Sequence, residues 1–204
     1  MSVMEFDLIV LTADNDMEWT MRTLLERRAP ALRIRQVKFS IQRHPRRDNG
    51  VFHEAPEFMR LYHHRADYAL ILLDREGSGQ EHLSAIEIEN AIEQRIQQVG
   101  WSAERVAAIA LDPELEIWVW SRSPHVPRVL NVTPDQLAVF LNAQTMTPQG
   151  KPQRPKEALQ QLLRQSGRPF SAHIFQELAE SVSLQTDERA FNKLRQSLQN
   201  WFPL

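Results

Sequence analysis

Cysteine is absent from the 204 residues. That excludes disulfides, thiolate nucleophiles and thiolate zinc sites, and gives an oxidising compartment no support. No apolar run approaches the roughly 20 residues that a bilayer-spanning helix needs. The opening MSVMEFDLIVLTADND has acids before and just after its apolar run and no basic segment, so it does not read as a secretory leader. A cytoplasmic protein with no membrane association is expected. An excess of one charge is lacking as well: 24 basic and 26 acidic residues leave a formal net charge of -2. Contact with nucleic acid would therefore need a local basic patch. No Walker-type Gly-x-x-x-x-Gly-Lys is present, which argues against a P-loop nucleotidase, and no internal repeat or low-complexity tract appears.

What is present is alternation. Phe6 to Leu11 (FDLIVL), Tyr68 to Leu73 (YALILL) and Val106 to Leu111 (VAAIAL) are short continuous apolar runs, the signature of strands covered on both faces. Helical spacing is expected from Met17 to Arg28, stopped before Pro30, in a short stretch through Phe58 to His64, and from Glu81 to Val99, ended by Gly100. LRIRQVKFSI alternates like a half-exposed strand, and Gln42 to Gly50 reads as a loop. The fold class implied is α/β, a mostly parallel sheet flanked by helices over residues 1–124. Beyond about residue 125 the pattern turns helical. Thr133-Pro134-Asp135-Gln136 is a capping-box start, Pro155 suits the first turn of a helix, and Asp187 can cap a last helix through Phe191, Leu194, Leu198 and Trp201. Residues 125–204 are thus expected as a helical appendage packed on the sheet domain, with GKPQRP (150–155) as a linker or binding loop.

Each buried-type strand ends in acids: Asp14 and Asp16, then Asp74 and Glu76, then Asp112 with Glu114 and Glu116. In a parallel sheet these ends share one edge, where ligands bind. Converging carboxylates repel unless a cation lies between them, and hard oxygen ligands suit Mg²⁺ or Mn²⁺. These seven acids are the candidate metal ligands. Plainer roles exist for each: Asp14, Asp16 and Asp112 as helix caps, with Asp112-Pro113-Glu114 resembling a helix start, and Asp74-x-Glu76 as a solvated turn. The Gly77-Ser78-Gly79 turn offers backbone N–H groups to a phosphate. His44 and Arg47, in the basic loop His44-Pro45-Arg46-Arg47-Asp48, and Lys156, in a second cluster with Lys151 and Arg154, are candidates for phosphate binding or proton transfer; otherwise both are solvated loops. His63 and His64 sit at a helix end that suits imidazolium. Trp118 reads as core, and Trp120 as facing a cleft or partner.

Asp74-x-Glu76 after YALILL, with an acidic end on the first strand and a third strand behind, resembles the Toprim-like group of metal-dependent nucleases and topoisomerase/primase domains. That group carries Glu after its first strand and Asp-x-Asp after a later one; here Asp14 or Asp16 stands for the first Glu and Glu76 for the second Asp. Four further stretches are His44-Pro45-x-Arg47-Asp48-x-Gly50, Asp74-x-Glu76-Gly77, Pro113-Glu114-Leu115-Glu116-x-Trp118-Val119-Trp120 and Lys151-Pro152-x-x-Pro155-Lys156-Glu157-Ala158. Together they resemble a bacterial family found among methylation-associated anti-phage defence components, whose label names no reaction. The two resemblances imply a Mg²⁺-dependent nuclease or phosphodiesterase in a multi-protein defence system, with Asp74, Glu76, His44, Arg47 and Lys156 as its catalytic residues. The alternative is a non-catalytic subunit of such a system that binds nucleic acid or protein.

Overall fold

A computed structural model describes residues 4–184 and 186–204. The first three residues, on which part of the leader reading rests, lie outside it. Four strands form one parallel sheet: β1 (Phe6–Thr12), β2 (Phe39–Arg43), β3 (Ala66–Asp74) and β4 (Val106–Leu111), in the order β2-β1-β3-β4. The register pairs Val10 with Ile41 on one side and with Leu70 on the other, and Leu72 with Ile109. β1 and β3 are central, and Leu8 to Leu11 and Ala69 to Leu73 have no exposed surface, as continuous apolar runs require when both faces are covered.

The chain leaves β1 in one direction through α1 (Asn15–Arg27) to β2. It then reverses, crossing β1 through α3 (Arg47–Arg60) to β3 and on through α4 (Ala85–Gln98) to β4. With right-handed crossovers this puts α1 on one face and α3 with α4 on the other. The packing agrees, since α3 lies against α4 while α1 packs on the C-terminal helix α8 (Ala172–Ser181). The reversal also makes β1 and β3 the topological switch point, with their carboxyl ends opening a crevice.

Between α1 and β2 the short α2 (Ala29–Leu32) takes Pro30 into its first turn, and Arg33 closes it in the left-handed conformation. Only the last three residues of the alternating LRIRQVKFSI stretch, Phe39 to Ile41, join the sheet, and β2 runs on through Gln42 and Arg43, inside the stretch that reads as a loop. α3 starts at Arg47, inside the stretch that reads as a loop. It does so because the His44 ring packs over Gly50; a Cβ there would lie 2.1 Å from His44 Nδ1. α3 ends at Arg60, short of His63 and His64. α4 opens on a reciprocal capping box between Ser84 and Glu87.

After β4 come a 3₁₀ turn (Leu115–Trp118), α5 (His125–Val129), α6 (Pro134–Asn142), α7 (Pro155–Ser166), α8 and α9 (Arg189–Trp201). Thr133 and Gln136 form the expected capping box. Glu188, not Asp187, occupies the N-cap of α9 and gives no side-chain cap. α9 packs on β4 and α2, and a single buried apolar cluster runs from the sheet into α7, α8 and α9.

Candidate metal centre

Asp74 ends β3 and is buried. Its backbone N–H donates to Asp48 Oδ1 (2.7 Å) in the first turn of α3, and its own Oδ1 accepts the Leu115 N–H (2.8 Å). The second bond draws in the 3₁₀ turn after β4, and with it Glu114 and Glu116, which are 7 % and 2 % exposed. Among the described residues, Asp74, Glu114 and Glu116 are the group whose carboxylate oxygens could share one ion, lying within 4.8 Å of one another.

Lys156, in the first turn of α7, closes the group. Its Nζ lies 3.3 Å from Glu116 Oε1 and 3.6 Å from Glu114 Oε2, while its backbone N–H donates to Glu114 Oε1 (2.9 Å). The Trp120 indole N–H donates to the Pro155 carbonyl (3.1 Å), and Trp120 stacks on Phe140, which ties α7 to the chain just beyond the turn. Trp120 is therefore a buried brace, not a cleft-facing residue.

Electrostatics sets this corner apart. Burial pushes the Glu116 carboxyl up to about 7, with Lys156 opposing and Glu114 adding to the rise. Asp16 and Asp48 are each raised to about 6, mainly by burial, with the Asp14 charge adding to both. Asp74 is raised well above the usual range by burial and then by Asp48, Glu116 and Asp14; Glu114 is raised by burial. Burial alone would lower the Lys156 pKa, but Glu116, Glu114 and Asp74 outweigh it and raise it. The charges of Arg47 and Lys156 both act on Asp16, but of the two only Lys156 pairs with Glu114 and Glu116.

The strand-end acids thus separate. Asp14 caps α1 by accepting the Met17 N–H (2.9 Å) and is felt at Asp74 as charge, while Asp16 is linked to the cluster only through the Lys156 charge. Glu76 is exposed, and Asp112 is exposed and bonded to Arg75 Nε (2.9 Å); neither joins the group of three. The Asp112–Pro113 peptide is cis, and the helical turn begins later, with Glu114 at its N-cap. The N–H groups of Gly77 and Gly79 already donate to Glu81 Oε1 (2.9 and 3.2 Å).

His44 is 3 % exposed and turned to its own loop: Nδ1 accepts the Arg46 N–H (3.2 Å), and Nε2 lies 3.2 Å from Glu54, which also pairs with Arg46. Burial lowers its pKa. Lys151 pairs with Glu188 (2.8 Å) and Arg154 with Glu157. Asp48 is the residue the sequence reading did not single out; its signal was an acid in the first turn after a strand, the same placement that drew attention to Asp14 and Asp112.

Three hard carboxylates converging on one point, with one ammonium offsetting only part of their charge, fit a small divalent cation with open coordination positions. Comparison with protein-family models, curated proteins and solved structures finds no match to this chain.

Proposed function

We propose that this chain is a cytosolic, Mg²⁺- or Mn²⁺-dependent nuclease or phosphodiesterase of Toprim-like type, working with other proteins of an anti-phage defence system. The observation that carries the reading is the convergence of Asp74, Glu114 and Glu116 beside Lys156 at the sheet's switch point. The three carboxylates would hold the ion, which would supply Lewis-acid polarisation of a phosphoryl oxygen and charge neutralisation. Asp16 and Asp48 add negative potential on the β1 and β2 side. Arg47 is exposed at the start of α3, holds a non-glycine backbone at φ 51°, and acts on Asp16 as charge; it binds a substrate phosphate. Lys156 positions the carboxylates and meets the charge that develops on the phosphate. His44 has no proton-transfer role, because Nδ1 accepts the Arg46 N–H and Nε2 faces Glu54 of α3.

The test is cleavage of labelled single- and double-stranded DNA and RNA with Mg²⁺ or Mn²⁺, against EDTA and an Asp74→Asn/Glu116→Gln variant shown to be folded. Metal-dependent cutting that the variant loses is the expected result. One observation favours the second reading, a binding subunit: Asp74 and Glu114 each accept a backbone N–H and Lys156 supplies charge, so the turn is held without an ion. Absence of cutting on every substrate, with intact Mg²⁺ binding or without it, would select that reading.

A further inference from the structure

The two edges of the sheet are finished differently. Along β4, the side chains of Glu89, Glu93 and Arg189 bond the outward backbone groups of Ala108 and Ala110. Along β2 no such cover exists among the described residues. The Lys38 carbonyl accepts from β1 and the His44 N–H donates to the Thr12 carbonyl, so the even-numbered residues face β1. Phe39, Ile41 and Arg43 therefore turn their N–H and C=O groups outward, and none of these groups has a partner among the described residues. Neither proline nor bulge interrupts the strand, and Phe39 and Ile41 are only half-buried against the core. Such an edge is a template for a further strand.

Charge decides what fits there. Residues 27–47 hold eight basic residues and no acid. Arg27, Arg35 and Arg46 pair with acids from elsewhere in the chain, whereas Arg33, Lys38 and Arg43 are exposed and form no ion pair among the described residues. A second copy does not suit this edge, because any pairing of two β2 strands lays one basic run beside another. A nucleic-acid backbone suits it poorly too, since phosphate oxygens accept from N–H groups but offer the outward carbonyls no donor. An extended peptide presents donors and acceptors at the repeat of a strand, and acids on either side of its centre would meet Lys38 and Arg43 at the two ends of β2. We propose that the outer edge of β2 binds an extended acidic segment of a partner protein, which joins the four-stranded sheet as a further parallel or antiparallel strand. The site uses none of the residues assigned to the metal centre or to phosphate binding and does not depend on the phosphodiesterase reading.

The test titrates the ¹⁵N-labelled full chain, in EDTA, with the acetylated and amidated peptide EEVTVEE. The expected result is a saturable downfield movement of the Phe39, Ile41 and Arg43 amide signals, with slowed hydrogen exchange at the same amides. The same peptide N-methylated across its Val-Thr-Val centre keeps its charge and loses its donors, so it should not bind; nor should KKVTVKK. Lys38→Glu/Arg43→Glu should weaken EEVTVEE by about tenfold or more and take up KKVTVKK instead. Ile41→Pro removes the central outward N–H, a change that an edge strand tolerates, and should abolish binding. Should Ile41→Pro not fold, the charge exchange and the N-methylated peptide decide the matter. The proposal is overturned if EEVTVEE causes no saturable movement, if the N-methylated peptide binds as tightly, or if the charge exchange leaves the preference unchanged. It is equally overturned if oligo(dT) or a DNA duplex moves these amides at lower concentration than the peptide does, or if the free chain sediments as a dimer that already protects them.

Discussion

Two corners of this molecule bury carboxylates to the same depth and treat them in opposite ways. At the outer edge of the sheet, Glu89 of α4 is 2 % exposed; it accepts the Ala110 N–H of β4 (2.8 Å), both guanidinium nitrogens of Arg189 and the Lys193 ammonium. Its neighbour Glu93 accepts the Ala108 N–H and shares Lys193, while Arg189 donates to the Ala110 carbonyl. Two acids meet two cations, and the polar groups of edge strand β4 are covered in the process. At the carboxyl end of β3 and β4, Glu116 is equally buried, yet three acids share Lys156, and the charges of Asp14 and Asp48 raise Asp74 further. A balanced cluster is a structural fastening. An unbalanced one stores repulsion, and its three carboxylates are placed so that one ion could be held among them.

Breaking the balanced corner should give the largest effect. Glu89→Ala strands Arg189, Lys193 and the Ala110 N–H, and loss of one partner of a buried ionic network costs about 3–5 kcal/mol. Urea unfolding should show this loss equally with EDTA and with Mg²⁺. In the unbalanced corner the sign reverses. Glu116→Gln keeps the shape and removes one repelling charge, so the metal-free variant should be more stable than the wild type at about pH 8. The expected gain is about 3 kcal/mol, from a carboxyl raised from 4.5 to about 7. The same variant should lose the stabilisation that Mg²⁺ gives the wild type. If Glu116→Gln destabilised the protein as Glu89→Ala does, the two corners would be alike and the contrast would be wrong.

That contrast was only half legible in the sequence. β1, β3 and β4 stand out as continuous apolar runs because both their faces are covered, and their acidic ends follow directly from the runs. Which acids converge does not follow. Glu114 and Glu116 join Asp74, while Asp112 and Glu76 do not, because the Leu115 N–H bonds Asp74 and turns the chain after β4 inward. No periodicity carries that bond. The extent of β2 was hidden too, since its last residues, Gln42 and Arg43, lie inside the stretch that reads as a loop. The start of α3 was masked by His44-Pro45-Arg46-Arg47-Asp48-Asn49-Gly50, turn formers that become a helix once the His44 ring closes over Gly50. Asp48 is visible in that loop, but the sequence alone does not mark it as a site residue. Lys156 and Arg47 could be marked as basic clusters, but their orientation toward the acids is a matter of tertiary packing.

Titration sharpens the comparison at a smaller scale. Asp16 and Asp48 rise from 3.8 to about 6 in the folded chain, and Glu116 rises from 4.5 to about 7. A carboxyl with a raised folded pKa binds its proton more tightly folded than unfolded. Its contribution is complete below the unfolded value and is lost as pH rises through the folded one. The metal-free thermal midpoint should therefore fall between about pH 4 and pH 7, the window those shifts define. Mg²⁺ should restore it near pH 8 and do little near pH 5, where protons already occupy the acids. In Glu116→Gln the fall should be shallower. A midpoint that instead rose with pH across this window would contradict the stored repulsion.

The smallest effect is expected at Arg47, where stability and function should part. A non-glycine residue in the left-handed region costs roughly 1 kcal/mol, which Arg47→Gly relieves, against a comparable entropy gain of the unfolded chain. Stability should therefore change by less than about 1 kcal/mol, since no ion pair with Arg47 exists among the described residues to be broken. Removing its charge from beside Asp16 should leave metal-dependent cleavage weakened through substrate binding, with KM raised more than kcat is lowered. Arg47→Lys keeps the charge but loses the planar fork, so it should recover part of that binding while retaining the strained backbone. If Arg47→Gly bound and cut as the wild type does, the positive φ at the start of α3 would belong to the His44 loop alone, and the phosphate contact would have to be sought at Lys156.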